Sequence, residues 1–439
     1  MKKLYSTFAL ALAVSLGASA QGNLSQIEFG RQESSLMTTA ETSLNLVASQ
    51  KHAMHKQAPA KAAGISSIDD ICGAWFWYGI NIFDEVPTET NTNALYAEKS
   101  IIPNTVKVFG FFDPEISVNA TINVANAKAS IRGGQKIGES SKYGNVTLRF
   151  YQVTQGVQSI LDWPQVNTVE AEIINGTLLF PEDVFVGCYV KSGADEGFLN
   201  GWISNLMGPT DLTEWEEAGK AYFIDGYLLA AETANQYPYE VDMMVDADNP
   251  SRYKVVNPYQ NSVLNLEGEN LDQDALGAIV FDMSNPNCVM FDPRYYSGMK
   301  LSTYGKMYMY DLGGLLGKCY GWDATNLLNK YPAEELSTFV DDVVTVATPL
   351  VGGTQGTVSD GQGNQISVFP YIGLSFGSGD EESTSPKIVF DSAGVNDILS
   401  NDTNAPVEYF NLQGVRVANP ENGLYIRRQG NKATKVLVK

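Results

Sequence analysis

Histidine is almost absent: His52 and His55 are the only two in 439 residues, and both sit near the amino terminus. Serine and cysteine hydrolases, H-E-x-x-H zinc enzymes and imidazole acid–base catalysts all need a histidine within the fold, so each class is disfavoured. Gly373-Leu374-Ser375-Phe376-Gly377 matches the G-x-S-x-G nucleophile pattern, but no histidine follows Ser375 to serve as its base. Ser375 therefore reads as a strand residue between glycines. Ser297-Gly298-Met299-Lys300 matches S-x-x-K without an S-D-N or K-T-G companion, and it carries no more weight.

Three other scarcities narrow the field. No stretch approaches the ~20 apolar residues of a membrane-spanning helix. Cations are outnumbered by acids, 29 to 50, and the net charge of −21 repels nucleic acid phosphates and anionic lipid, so no nucleic acid partner is expected. The four cysteines include no C-x-x-C pair and have no nearby histidine, which argues against a metal centre. Asp246-Ala247-Asp248 and Asp341-Asp342 lack the twelve-residue loop of a calcium hand and read as a turn and a helix end. No cofactor or metal is expected.

What is present points to export and to strands. Lys2 and Lys3, the apolar run Phe8 to Leu16 and Ala18-Ser19-Ala20 form a secretory signal over residues 1–20. Residues 21–65, rich in Ser, Ala, Gln, Thr and Lys, read as a flexible leader. Beyond it, Tyr, Phe, Val, Thr and Asn recur in short runs such as Gly73 to Gly79, Val106 to Phe112, Val118 to Val124 and Val146 to Tyr151. Asn175-Gly176 between two such runs predicts a type I′ hairpin. The spacing predicts a mainly β protein of two antiparallel sandwich or barrel-like modules, 66–210 and 211–395, plus a small β tail, 396–439. The second module carries one short helix, Asp323 to Phe339, interrupted by Pro332. Asn249-Pro250 to Asn257-Pro258-Tyr259 and Asn285-Pro286 to Asp292-Pro293-Arg294-Tyr295 look like two versions of one strand flanked by Asn/Asp-Pro turns.

In an exported chain Cys72, Cys188, Cys288 and Cys319 are disulfide candidates, paired within modules as Cys72–Cys188 and Cys288–Cys319. The alternative is that all four are small buried apolar residues. Trp75 and Trp77, two apart on one strand, share a face and read as core. Trp202 and Trp322, near predicted loops, are the better platforms for a ligand such as a sugar.

The tail differs from the rest of the chain. Residues 407–439 carry net +4, from six cations against two acids. Its pattern, Tyr409-Phe410-Asn411-Leu412-Gln413-Gly414-Val415-Arg416-Val417, then Asn419-Pro420-Glu421-Asn422-Gly423-Leu424-Tyr425-Ile426, then a basic strand ending in Lys439, resembles the C-terminal sorting tails of proteins exported by Bacteroidota, akin to type IX secretion signals. Ile71 to Trp77 and Tyr253 to Tyr259 are similar to segments of uncharacterised secreted proteins of that group. The resemblance implies delivery to the cell surface or medium by secretion machinery that reads the tail. The expected function is a non-enzymatic surface or extracellular binding or adhesion protein with a glycan or protein ligand. The alternative is a carbohydrate-active enzyme or glycan-binding accessory protein, which needs only two carboxylates across a sugar bond and aromatic platforms.

Overall fold

The computed structural model describes residues 35–39, 64–83, 89–91, 93–224, 239–259, 277–301 and 305–347, together with short strands between 350 and 438. The signal segment 1–20, His52 and His55 lie outside the described residues, as do Gly414, Asn419, Pro420 and Lys439 of the tail.

The first module is a chain of short antiparallel strands: β1 (Gly73–Asn81), β2 (Glu89–Asn91), β3 (Leu95–Lys99), β4 (Thr105–Phe109), β5 (Ser117–Asn123), β6 (Lys128–Arg132), β7 (Lys136–Ser140), β8 (Gly144–Gln152), β9 (Gln165–Val166), β10 (Thr168–Ile174), β11 (Thr177–Leu179), β12 (Val184–Ser192) and β13 (Asp195–Gly208). Eight of them close into a barrel, in the order β1-β3-β4-β5-β6-β10-β11-β13 and back to β1. Alternation decides which way each side chain points. Val118, Ala120 and Ile122 of β5, and Val169, Ala171 and Ile173 of β10, turn inward between exposed neighbours. Small and large residues interleave, and Trp75 and Trp77 fill much of the interior. The β10–β11 connection is the expected Asn175-Gly176 turn, with φ of 50° and 82°.

Strand β13 is 14 residues long and serves both the barrel and the continuation of the same sheet beyond it. Its later half closes the barrel against β1 and β11, while its earlier half pairs with β12, which continues into β8 and β7. Between the halves Ser204 takes a φ of 55°, and the neighbouring Asn205 is fully buried. The Asn205 amide accepts from Trp77 Nε1 at 2.7 Å and donates to the Trp202 carbonyl at 3.2 Å. That irregularity lets one strand turn from barrel wall to flanking sheet.

Part of the stretch expected to be a free leader belongs to this module. Met37 exchanges both backbone hydrogen bonds with Phe198 of β13, at 2.9 and 2.8 Å, and Leu36 packs on the barrel core. The unpaired edge left where β1 ends is what draws it in.

The second module is a curled half-barrel. It comprises β14 (Trp215–Ile224), β15 (Tyr239–Asp246), β16 (Arg252–Val256), β17 (Ala278–Asp282) and β18 (Met290–Phe291), then β19 (Tyr296–Leu301) and β20 (Gly305–Tyr310) in a separate sheet, and the hairpin β21 (Thr338–Val340) to β22 (Val343–Thr345). Strand Lys387–Phe390 joins β14 to β22. The two proline-flanked segments of similar sequence become β16 and β18, one on each side of β17.

Two corrections concern helices. The single helix expected from Asp323 onward is only α2 (Ala324–Lys330) with a 3-10 turn Ala333–Glu335, and it is preceded by α1 (Leu312–Tyr320). Three glycines among nine residues hid α1, whose helix is sustained by burial rather than propensity. Asp341 and Asp342 are not a helix end but the β21–β22 turn, with φ of 51° and 60°.

All four cysteines are free thiols, so the expected Cys72–Cys188 and Cys288–Cys319 bridges are not formed. Cys72 Sγ faces the Ile68 carbonyl at 3.4 Å and Cys188 Sγ the Phe111 carbonyl at 3.7 Å. Cys288 and Cys319 are buried in the second module's core, where burial pushes the Cys288 thiol up to about 12. These thiols act as small apolar residues.

In the tail, Val407–Phe410, Arg416–Val417, Gly423–Gln429 and Lys432–Val438 pair only with one another among the described residues.

Candidate functional site

The densest chemistry lies where β1 meets the second module. Because β1 alternates, Trp75 and Trp77 enter the barrel while Ala74, Phe76 and Tyr78 face outward, and yet Phe76 and Tyr78 are also buried. They pack on Tyr295, Leu206 and Val280, with the Phe76 and Tyr295 rings edge to face at 5.0 Å. The Ala94 amide reaches the Lys318 carbonyl of α1 at 2.9 Å. One apolar core thus runs from Tyr96 and Phe109 of the barrel into Phe281, Phe291 and Tyr310 of the half-barrel.

Charged groups are set into this joint. Arg294 is 2% exposed; its guanidinium lies 5.1 Å over the Phe76 ring and grips Asp292 from Nε at 2.8 Å and from a terminal nitrogen. Arg252 donates to Asp246 at 2.9 Å, to Tyr295 Oη at 2.8 Å and to Asp292 at 3.4 Å, beneath the Trp215 ring. Asp211, just beyond the end of β13, accepts from Tyr78 Oη at 3.0 Å and from Trp215 Nε1 at 2.9 Å, and Lys254 Nζ lies 3.9 Å away. The chain folds this way locally because the Asn249-Pro250 turn leads into β16 at Arg252 and Asp292-Pro293 ends β18 just before Arg294.

The electrostatics follow from mutual pairing. Burial alone would raise the Asp292 carboxyl, but Arg294, with Lys318 and Arg252 beyond, holds it well below the usual range. Burial works against both guanidinium charges, and the carboxylates and Tyr295 around them keep both firmly protonated. Burial pushes the Tyr78 and Tyr295 phenols up, so both stay neutral. Lys318 on α1 is partly buried, and burial together with the nearby Arg294 draws its ammonium down to about 8. Separately, Asp311 caps α1 through Gly314 N at 2.7 Å and accepts from Phe291 N at 2.8 Å; burial raises it to about 6.

The residues expected from sequence fall elsewhere. Trp202 is not a loop platform: it is 2% exposed inside the barrel, its ring centroid 4.3 Å from that of Trp77. Trp322 follows α1, partly buried against Tyr331 and with Lys330 Nζ 5.1 Å over its ring. Asp246 is committed to Arg252 and to the Asp248 amide of its own turn. Gly423 and Tyr425 lie in one tail strand. Among the described residues no group of three or more His, Cys, Asp or Glu could hold a metal ion. Sequence reasoning missed Arg252, Asp292 and Arg294, although the Arg-Tyr pair shared by both proline-flanked segments was their signal.

No family model, curated protein or solved structure matches this chain. Its function has to be argued from its own residues.

Proposed function

We propose that this chain is an exported, non-enzymatic binding or adhesion protein of the cell surface or extracellular space, delivered through its basic C-terminal tail. The observation that carries the reading is the closed state of the inter-module cluster. Asp292 stays ionised, Arg252 and Arg294 stay protonated, and each is consumed by the others, so none of these three exchanges a proton with a substrate near neutral pH. Such a network suits the holding of two modules in one fixed relation, as a display scaffold requires. The secretory signal and the resemblance of residues 406–439 to sorting tails supply the destination.

The test is to apply the purified mature chain to arrays of glycans and extracellular proteins and, in parallel, to a panel of glycoside substrates. Saturable binding without turnover is expected. Hydrolysis that survives repurification would overturn the reading in favour of a carbohydrate-active enzyme.

A further inference from the structure

The contact made by Leu36–Thr39 is more than an edge cover. The segment lies between two backbones: Met37 N–H donates to Phe198 O at 2.9 Å, Phe198 N–H returns the bond at 2.8 Å, and on the other side Ile160 N–H donates to Thr38 O at 3.0 Å. Bridges to Phe198 and to Ser159 fix the antiparallel register. The slot is shaped for a strand, because a Cβ at Gly197 would stand 2.9 Å from Met37 O, 3.1 Å from Thr38 Cγ2 and 3.6 Å from Leu36 Cβ. Those are its three nearest neighbours, so the bare position leaves room for the inserted segment. Phe198 and Ile160 flanking the slot belong to an apolar cluster with Trp163, Phe185 and Tyr189.

Covalent continuity does not dictate which chain fills the slot. Residues 40–63 separate Thr39 from Gly64, a length that extended reaches roughly 80 Å. Insertion is held by backbone hydrogen bonds and one aliphatic contact, the mode by which a sheet edge accepts an added strand. The only sequence known to fit is this chain's own.

We propose that the slot between Phe198 and Ile160 is a strand-acceptor site that takes the Leu36–Thr39 segment of a second copy when its own is withdrawn, linking copies of the chain. This goes beyond the binding reading above and does not depend on it. In dilute solution the tethered segment wins through its effective concentration, and the chain stays monomeric. Exchange between copies is the same contact made between chains.

Two full-length mature variants test this. Gly197→Val closes the acceptor and leaves its own segment free to donate; Met37→Pro removes the N–H that bonds Phe198 and leaves the acceptor empty. Each alone should sediment as a monomer, and an equimolar mixture should give a one-to-one heterodimer. A labelled peptide of residues 34–41 should bind the Met37→Pro chain, and bind the Gly197→Val chain at least about tenfold more weakly. Absence of both heterodimer and peptide binding, with both variants folded by circular dichroism, would overturn the proposal. Failure of Met37→Pro to fold would overturn it too, since the segment would then be a permanent strand. If Gly197→Val alone fails to fold, peptide binding to the Met37→Pro chain decides.

Discussion

Arg294 and Asp311 show how differently a buried charge behaves with and without a counter-charge. Replacing Arg294 by Met strands Asp292 in the joint, which costs about 3–5 kcal/mol where a buried pair is broken from one side. A melting curve should show the loss, and adding Asp292→Leu to Arg294→Met should recover part of it. The carboxylates also set opposite pH slopes. Asp292 is depressed in the fold, so its contribution is complete above the ordinary carboxylate range near 3.8 and disappears as pH falls below it. Asp311 is raised to about 6, so the fold binds its proton more tightly than the unfolded chain does. Stability should therefore increase as pH falls from 6 toward 4, then decline as Asp292 and other paired carboxylates protonate. Asp311→Asn retains an acceptor for Phe291 and Gly314 and should flatten the limb between pH 6 and 4, by up to roughly 3 kcal/mol. Chemical denaturation across that range measures it; an unchanged slope counts against Asp311 as its source.

At the scale of elements, alternation and turn chemistry were legible in the sequence, and close packing of backbone was not. The runs that became β5 and β10, the shared face of Trp75 and Trp77 and the Asn175-Gly176 turn follow from local rules alone. Whether the outward face of β1 is wet or buried depends on a module more than 130 residues away, and no local pattern carries that. Trp202 was misplaced for the same reason: β13 extends through the region that read as a loop, and its Ser204–Asn205 irregularity swings Trp202 onto Trp77. In α1 the glycines are a packing requirement. A Cβ on Gly314 would lie 1.6 Å from the Phe291 carbonyl oxygen, so Gly314→Ala, ordinarily favourable in a helix, should force α1 off β18. Its melting temperature should fall by several degrees, whereas an alanine at Gly144, where no atom lies within 4 Å, should cost only the strain of its positive φ.

Across the whole molecule, the shared core predicts one cooperative unfolding transition in place of two. Phe76→Ala, on the face of β1 turned to the half-barrel, should separate the transitions in a calorimetric scan. Trp77→Ala, on the other face, should lower the stability of the barrel without uncoupling it. Removing residues 407–439 should leave the transition unchanged, because the tail strands pair among themselves, while delivery of the protein in its native host should fail. Normal delivery of the shortened chain would remove the tail from the export argument.

The seam between β1 and β13 carries a mechanical consequence. Phe76 stands opposite Gly208, so the chain enters and leaves the barrel on neighbouring strands at the same end. Pulled from that end, the two strands would peel apart one bond at a time, the weak direction for a β ladder, where lengthwise sliding would have to break many bonds together. Asp211 lies three residues past Gly208 and is held back to β1 by Tyr78, with Phe76 and Tyr295 interlocked beside it. The clasp therefore spans the mouth of the zipper, and traction on a tethered molecule would meet the inter-module joint before it could open the barrel.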